Sequence, residues 1–153
     1  VSEGLKLKAA EAEDVTILSS ALEGAITSPG EMGYASQSRS FTLTASRFMW
    51  EKKNKTSSQN KRIRTGLHCA DVLSVKALGL SQDKPTEAME LLDIECKAGE
   101  DGQADLLVHF AGGATLKLSV ECIDITLTDV GDAWDTDHVP HHEDAEPDTS
   151  SPA

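Results

Sequence analysis

An α+β fold follows from three features of the chain. One stretch near the N-terminus has helical apolar spacing, the long remainder alternates apolar with polar residues, and glycine-bearing turns separate the alternating runs. The architecture this predicts is an N-terminal helix packed on a strongly bent, mainly antiparallel sheet of six to eight strands, barrel-like or sandwich-like in outline.

Leu5 to Lys8 alternates and reads as a short first strand. The period changes at Asp14. Val15, Leu18, Leu22 and Ala25 fall at helical spacing with Ile17, Ala21 and Ile26 beside them, so a helix is expected near residues 11–25. Glu11, Glu13 and Asp14 in its first turn complement the positive end of the helix dipole, and Ser28-Pro29-Gly30 is expected to end it. Strands follow at 32–36 and 40–51 around a polar turn. Phe41, Leu43 and Ala45 share one parity whereas Phe48 and Trp50 share the other, which predicts a bulge or bend near Arg47. Residues 52–60 contain nothing to bury and read as a loop.

In 61–67, Ile63, Thr65 and Leu67 face one way and Arg62 and Arg64 the other. Further strands are expected at 72–80, 89–97, 104–111 and 115–128, joined by turns around Pro85, Gly99 to Gly102 and Gly112-Gly113. Parity changes again after Cys122, the mark of a second bulge or of a strand that changes sheets. Asp129 to Trp134 closes the fold, with the indole as the last anchor. One domain is therefore expected over residues 1–137, followed by a disordered acidic tail over 138–153 that buries too little to offset its ordering entropy.

Charge is divided sharply along the chain. Residues 39–64 hold eight of the fourteen basic side chains against one acid, Glu51, while residues 129–153 hold eight acids and no Lys or Arg. The net charge of −12 argues against general affinity for nucleic acid or anionic membranes, because the long-range field repels phosphate. No stretch reaches the ~18 apolar residues of a membrane span, and no apolar leader segment is seen at the N-terminus. Cys69, Cys96 and Cys122 are odd in number and lie among apolar residues, which fits a reducing cytoplasm.

Several local motifs carry a resemblance. Leu5-Lys-Leu-Lys-Ala-Ala before the helix, Ser46-Arg-Phe-Met-Trp50-Glu, Arg62-Ile-Arg-Thr-Gly-Leu67, Phe110-Ala-Gly-Gly-Ala and Val120-Glu-Cys-Ile-Asp-Ile-Thr-Leu-Thr-Asp129 resemble a bacterial, mostly alphaproteobacterial, family known only as a domain of unknown function. The resemblance spans residues 5–134 and implies one domain without implying any activity. By strand count alone, a pleckstrin-homology-like barrel is a fold-level analogy, although the helix of that fold comes last.

The basic segment is the leading functional candidate. A hairpin of 40–51 with 61–67 would gather Arg47, Lys52, Lys53, Lys55, Lys61, Arg62 and Arg64, a cluster suited to an acidic partner, protein first and nucleic acid second, with Trp50 able to stack on a base. The acidic tail could fold back and mask that cluster. The rival reading is a small-molecule enzyme or ligand-binding domain with its site between helix and sheet. His68 and Cys69 point to opposite faces of a strand and cannot form an activated pair, and His109 reads as a sheet-face residue. Glu95 with Glu121 is a conceivable acid/base pair across strands. The tail histidines His138, His141 and His142 lack the fixed spacing of a metal site, Gly112-Gly113 lacks the following helix of a phosphate cradle, and no cofactor is expected.

Overall fold

The computed structural model describes residues 4–52, 60–80 and 83–140. In chain order these form β1 (Lys6–Ala9), α1 (Ala12–Leu22), β2 (Ile26–Thr27), β3 (Met32–Ala35), β4 (Ser40–Phe48), β5 (Lys61–Cys69), β6 (Val72–Leu78), β7 (Met89–Ala98), β8 (Ala104–Phe110), β9 (Thr115–Val120) and β10 (Ile125–Asp135). Every pairing is antiparallel, in the order β1-β10-β5-β4-β2-β7-β8-β9-β6 with β3 also on β4. The predicted α+β class is what the structure has, with ten strands rather than six to eight and no closure into a barrel. The surplus comes from β2 and from division of the predicted 115–128 strand at residues 121–124, where the chain crosses from one half of the sheet to the other.

The sheet bends because the two-residue β2 links one half, β1-β10-β5-β4, to the other, β7-β8-β9-β6. Phe41, Leu43, Leu67, Cys69, Ile125 and Leu127 from the first half meet Leu106, Val108, Phe110, Leu116 and Leu118 from the second in a single buried cluster. Period-2 alternation dictates this. Most strands turn an aliphatic parity inward and a mainly polar parity outward, with Thr65 and Arg47 as polar residues on the inward side.

Helix α1 adds Val15, Leu18 and Leu22 to the same core. Its start is fixed by Asp14, whose Oδ2 accepts the amides of Ala10 and Glu11 at 3.0 and 3.1 Å. It ends before the expected Ser28, at Gly24, which takes a φ of +82° that side-chain-bearing residues rarely adopt. The chain can then turn into β2, with Gly24 N donating to Leu91 O and Leu91 N to Ala25 O. Ser19 Oγ accepts the amide of Ile94 at 2.8 Å and docks the helix on β7.

The expected bulge near Arg47 is absent. Register between β4 and β5 runs without a break from Phe41↔Cys69 to Phe48↔Arg62, and Arg47 keeps the inward parity of Phe41, Leu43 and Ala45. Alternation had only been disguised by a charged residue at an inward position. Phe48, on the other parity, is also buried, its ring 4.7 Å from that of Trp50. Irregularities occur elsewhere, between Leu91 and Asp93 in β7, between Val72 and Ser74 in β6, and between Val130 and Trp134 in β10. Trp134 is 40% exposed and does not anchor the end of the fold; Pro140, buried against Gly24, does. The tail expected from residue 138 lies outside the described residues beyond Pro140.

A Cβ on Gly24 would both strain the left-handed backbone and collide with the Pro140 ring. Gly24→Ala should therefore lower the stability read from urea unfolding by about 1–2 kcal/mol.

Candidate functional site

Arg47 is the largest fully buried side chain, with 0% exposure, and all five of its N–H groups are used. Nε and Nη2 donate to the two oxygens of Asp129 at 2.8 and 2.6 Å, Nη1 and Nη2 donate to Glu51 at 3.1 and 2.7 Å, and Nη1 also reaches the carbonyl of Phe48 at 3.2 Å. Asp129 is equally enclosed, and its Oδ2 accepts the amide of Leu5 at 2.7 Å. Burial pulls the Arg47 guanidinium down, but the two carboxylates outweigh it and hold the group above its ordinary value. Burial likewise pushes Asp129 up, and Arg47 with the Leu5 amide outweighs that and holds it below the usual carboxylate range.

Among the described residues, the expected partner-binding cations Lys61, Arg62 and Arg64 are separately enclosed or ion-paired rather than gathered in one projecting cluster. Arg62 and Arg64 share the predicted face, yet Arg62 is buried, donating to the carbonyls of Ser46 and Gly24 at 3.0 and 3.3 Å, and burial lowers its pKa. Arg64 pairs with Glu31 and Lys61 with Asp135, while Arg39 pairs with Glu121. Lys52 lies in the turn Trp50–Lys52 after β4; Lys53 and Lys55 lie outside the described residues. Trp50 neither packs wholly inward nor offers a free ring edge, since its Nε1 donates to Glu23 O at 2.9 Å.

A second site lies between helix and sheet. An open groove of about 880 Å³ is walled by Leu5 and Leu7 ahead of and within β1, Ile17, Ser20, Ala21 and Glu23 along α1, Trp50 and Glu51 after β4, and Leu92 and Asp93 of β7. The β7 irregularity makes this wall. Leu91 pairs with Phe110 and Asp93 with His109, so Leu92 is the extra residue; Leu91 and Ile94 turn inward while Leu92 and Asp93 both reach the groove. Ile17, 59% exposed on the helix, forms the opposite lip. Among the described residues, the titratable groups lining the groove are the carboxylates Glu23, Glu51 and Asp93, and no Lys, Arg or His is one of them. The sequence held one signal for this site: Leu91 and Ile94, three apart in a strand, cannot both face inward without a bulge.

Among the remaining candidates, His68 is exposed and Cys69 buried on opposite faces of β5, and burial with nearby Asp124 and Asp71 pushes the Cys69 thiol up to about 12. His109 lies on the outer face of β8, with Nε2 at 3.2 Å from Glu95 and Nδ1 at 3.3 Å from Thr115 Oγ1. Glu95 and Glu121 are not brought together, because Glu95 turns to His109 and Glu121 to Arg39. Gly112 and Gly113, both at positive φ, form the β8–β9 turn. No group of three metal-ligating side chains occurs among the described residues. None of their helices is long and apolar enough to cross a membrane.

Fold and site together define an α+β protein with one helix laid over a bent, open antiparallel sheet and a carboxylate-bordered groove beside that helix. The chain belongs to the family described as "Protein of unknown function (DUF2948)", whose model matches residues 5–142. That match carries the resemblance seen in the motifs past Trp134. No curated protein and no solved structure matches the chain.

Removing Arg47 would strand the buried Asp129 carboxylate. Arg47→Leu should cost about 3–5 kcal/mol in urea unfolding, and the double variant Arg47→Leu/Asp129→Leu should cost less than the single one, since no uncompensated charge is left at residue 129. The depressed pKa of Asp129 fixes a pH signature. Its stabilising contribution is complete above the ordinary carboxylate value near ~4 and is lost as pH falls through the lower value of the folded state, so Asp129→Asn should flatten the acid limb of the stability profile.

Proposed function

We propose that this protein is a binding module, and that its ligand carries an apolar body and a cationic end that enter the groove between α1 and the sheet. One observation carries the reading: among the described residues, an otherwise apolar groove of about 880 Å³ is lined by three carboxylates and by no cation. Space of that size suits a small molecule or a few side chains of a partner. Leu5, Leu7, Ile17, Ala21 and Leu92 offer contact area, the indole of Trp50 is held at its edge by Glu23 O, and a cation placed between the ring face and Asp93 gains from both. Cytoplasmic location belongs to the same proposal and is supported by the free thiols Cys69, Cys96 and Cys122.

The reading in which the 39–64 hairpin holds an acidic partner has less support. Arg47 and Arg62 are enclosed, and Arg39, Lys61 and Arg64 already face carboxylates.

Octyltrimethylammonium and octyl sulfate, both below micelle formation, separate the two readings in a Trp134→Phe background where Trp50 is the remaining fluorophore. The cation should change Trp50 emission saturably while near-UV circular dichroism stays constant, and Asp93→Asn should weaken its binding about 3–10-fold, or roughly 0.7–1.4 kcal/mol. Equal binding of the sulfate, or an emission change that does not saturate, would overturn the proposal.

A further inference from the structure

The outer face of the β1-β10-β5-β4 half is a mainly polar grid. Register sets Thr42, His68, Thr126 and Lys8 in one row, Thr44, Gly66, Thr128 and Lys6 in the next, and Ser46, Arg64 and Val130 in a third. The rows just inside them, Phe41-Cys69-Ile125-Ala9 and Leu43-Leu67-Leu127-Leu7, point to the core, so the grid faces outward. Lys6, Lys8, Arg64, His68, Thr42 and Thr44 are exposed. Within the grid every ionisable side chain is basic, although the chain as a whole has a net charge of −12. The bordering acids include Glu31, engaged by Arg64 and Thr44, Glu90, which shares the third row through Ile26 and lies near Arg62, and Asp124 one row past His68.

The described chain ends beside this face. Thr136 N donates to Asn60 O at 2.9 Å, and Pro140 packs on Gly24, whose carbonyl accepts Arg62. Arg62 belongs to the same parity of β5 as Arg64, Gly66 and His68, so Pro140 lies at the Arg62 end of the grid. Those residues, 141–153, contain Glu143, Asp144, Glu146 and Asp148 and no Lys or Arg. Thirteen residues span up to roughly 40 Å when extended, against roughly 20 Å of strand from Arg62 to His68.

We propose that the acidic segment 141–153 docks across the Thr/Lys face formed by β1, β10, β5 and β4, with its carboxylates over Lys6, Lys8, Arg64 and His68. Charge complementarity and the exit point at Pro140 select this occupant. Rows of threonine hydroxyls supply hydrogen-bond partners without side chains tall enough to block an extended strand of chain. The attraction is between exposed charges, so it is screened by salt, and docking leaves the groove beside α1 uncovered.

The test uses the full chain labelled with ¹⁵N. Neutralising the segment by Glu143→Gln, Asp144→Asn, Glu146→Gln and Asp148→Asn, which leaves every described residue unsubstituted, should move the amide resonances of Lys8, Thr42, His68 and Thr126. Raising salt on the unmodified chain should move the same amides in the same direction. Lys6→Glu/Lys8→Glu should repeat the change from the other side, with the remaining spectrum reporting an intact fold. Unmoved face amides after neutralisation would overturn the proposal, as would movement of Ile17, Ala21 and Leu92 in their place. A glutamate-rich 13-residue peptide that shifts the face amides when added in trans, where neutralising 141–153 does not, would assign the face to an outside acidic partner and equally overturn it.

Discussion

The buried guanidinium of Arg47 is the interaction on which the rest of the architecture depends. It sits near the end of β4 and draws together Asp129 of β10, Glu51 of the following turn and, through Asp129, the amide of Leu5 ahead of β1. An inward-facing arginine is costly unless all its donors are used and its charge is met. Two carboxylates and a carbonyl meet both conditions, and each carboxylate thereby acquires a fixed position. Specificity of arrangement is what such a network supplies, since an apolar substitute of the same volume would fill the space without selecting partners.

That network also borders the groove. Glu51 is at once a ligand of Arg47 and part of the groove wall, and Leu5 is at once the partner of Asp129 and part of the opposite wall. The gap between them exists because the sheet does not close: β1 ends one side of the strand order and α1 lies over β7 without filling the space. The irregularity in β7 then turns Leu92 and Asp93 outward together, adding an apolar contact and a charge at one point. An open antiparallel sheet with one helix therefore yields a concave site at the edge, away from its continuous core.

Much of this was legible in the residues. Alternation located β4, β5, β7 and β8 to within a few residues, and the helical stripe of Val15, Leu18 and Leu22 is the face α1 buries. Glycine turns between β7, β8 and β9 also followed from local chemistry. What was hidden depends on partners remote in sequence. Arg47 looks like a break in alternation until Asp129, 82 residues away, is seen to neutralise it. The basic hairpin looks like a free cationic patch for the same reason, because Glu31, Glu121, Asp129 and Asp135 come from segments that no local pattern assigns to it. The end of α1 was misplaced because Gly24 stops a helix as well as Pro29 does, and position alone does not rank them.

Strand β1 links the two surfaces that function is assigned to here. Its Leu7, with Leu5 just before the strand, lines the groove and Ala9 enters the core, while its even positions Lys6 and Lys8 face the grid of threonines. A slip of one residue would exchange these sets, placing lysines in an apolar groove and leucines on a polar face. The two hydrogen bonds between Leu5 and Asp129 hold the register, and Asp129 is itself held by Arg47. One buried ion pair thus determines which side of the molecule is negative and concave and which is positive. In a chain with a net charge of −12, Arg47 ties the fold from the interior while Lys6 and Lys8 stay on the outer face of the sheet.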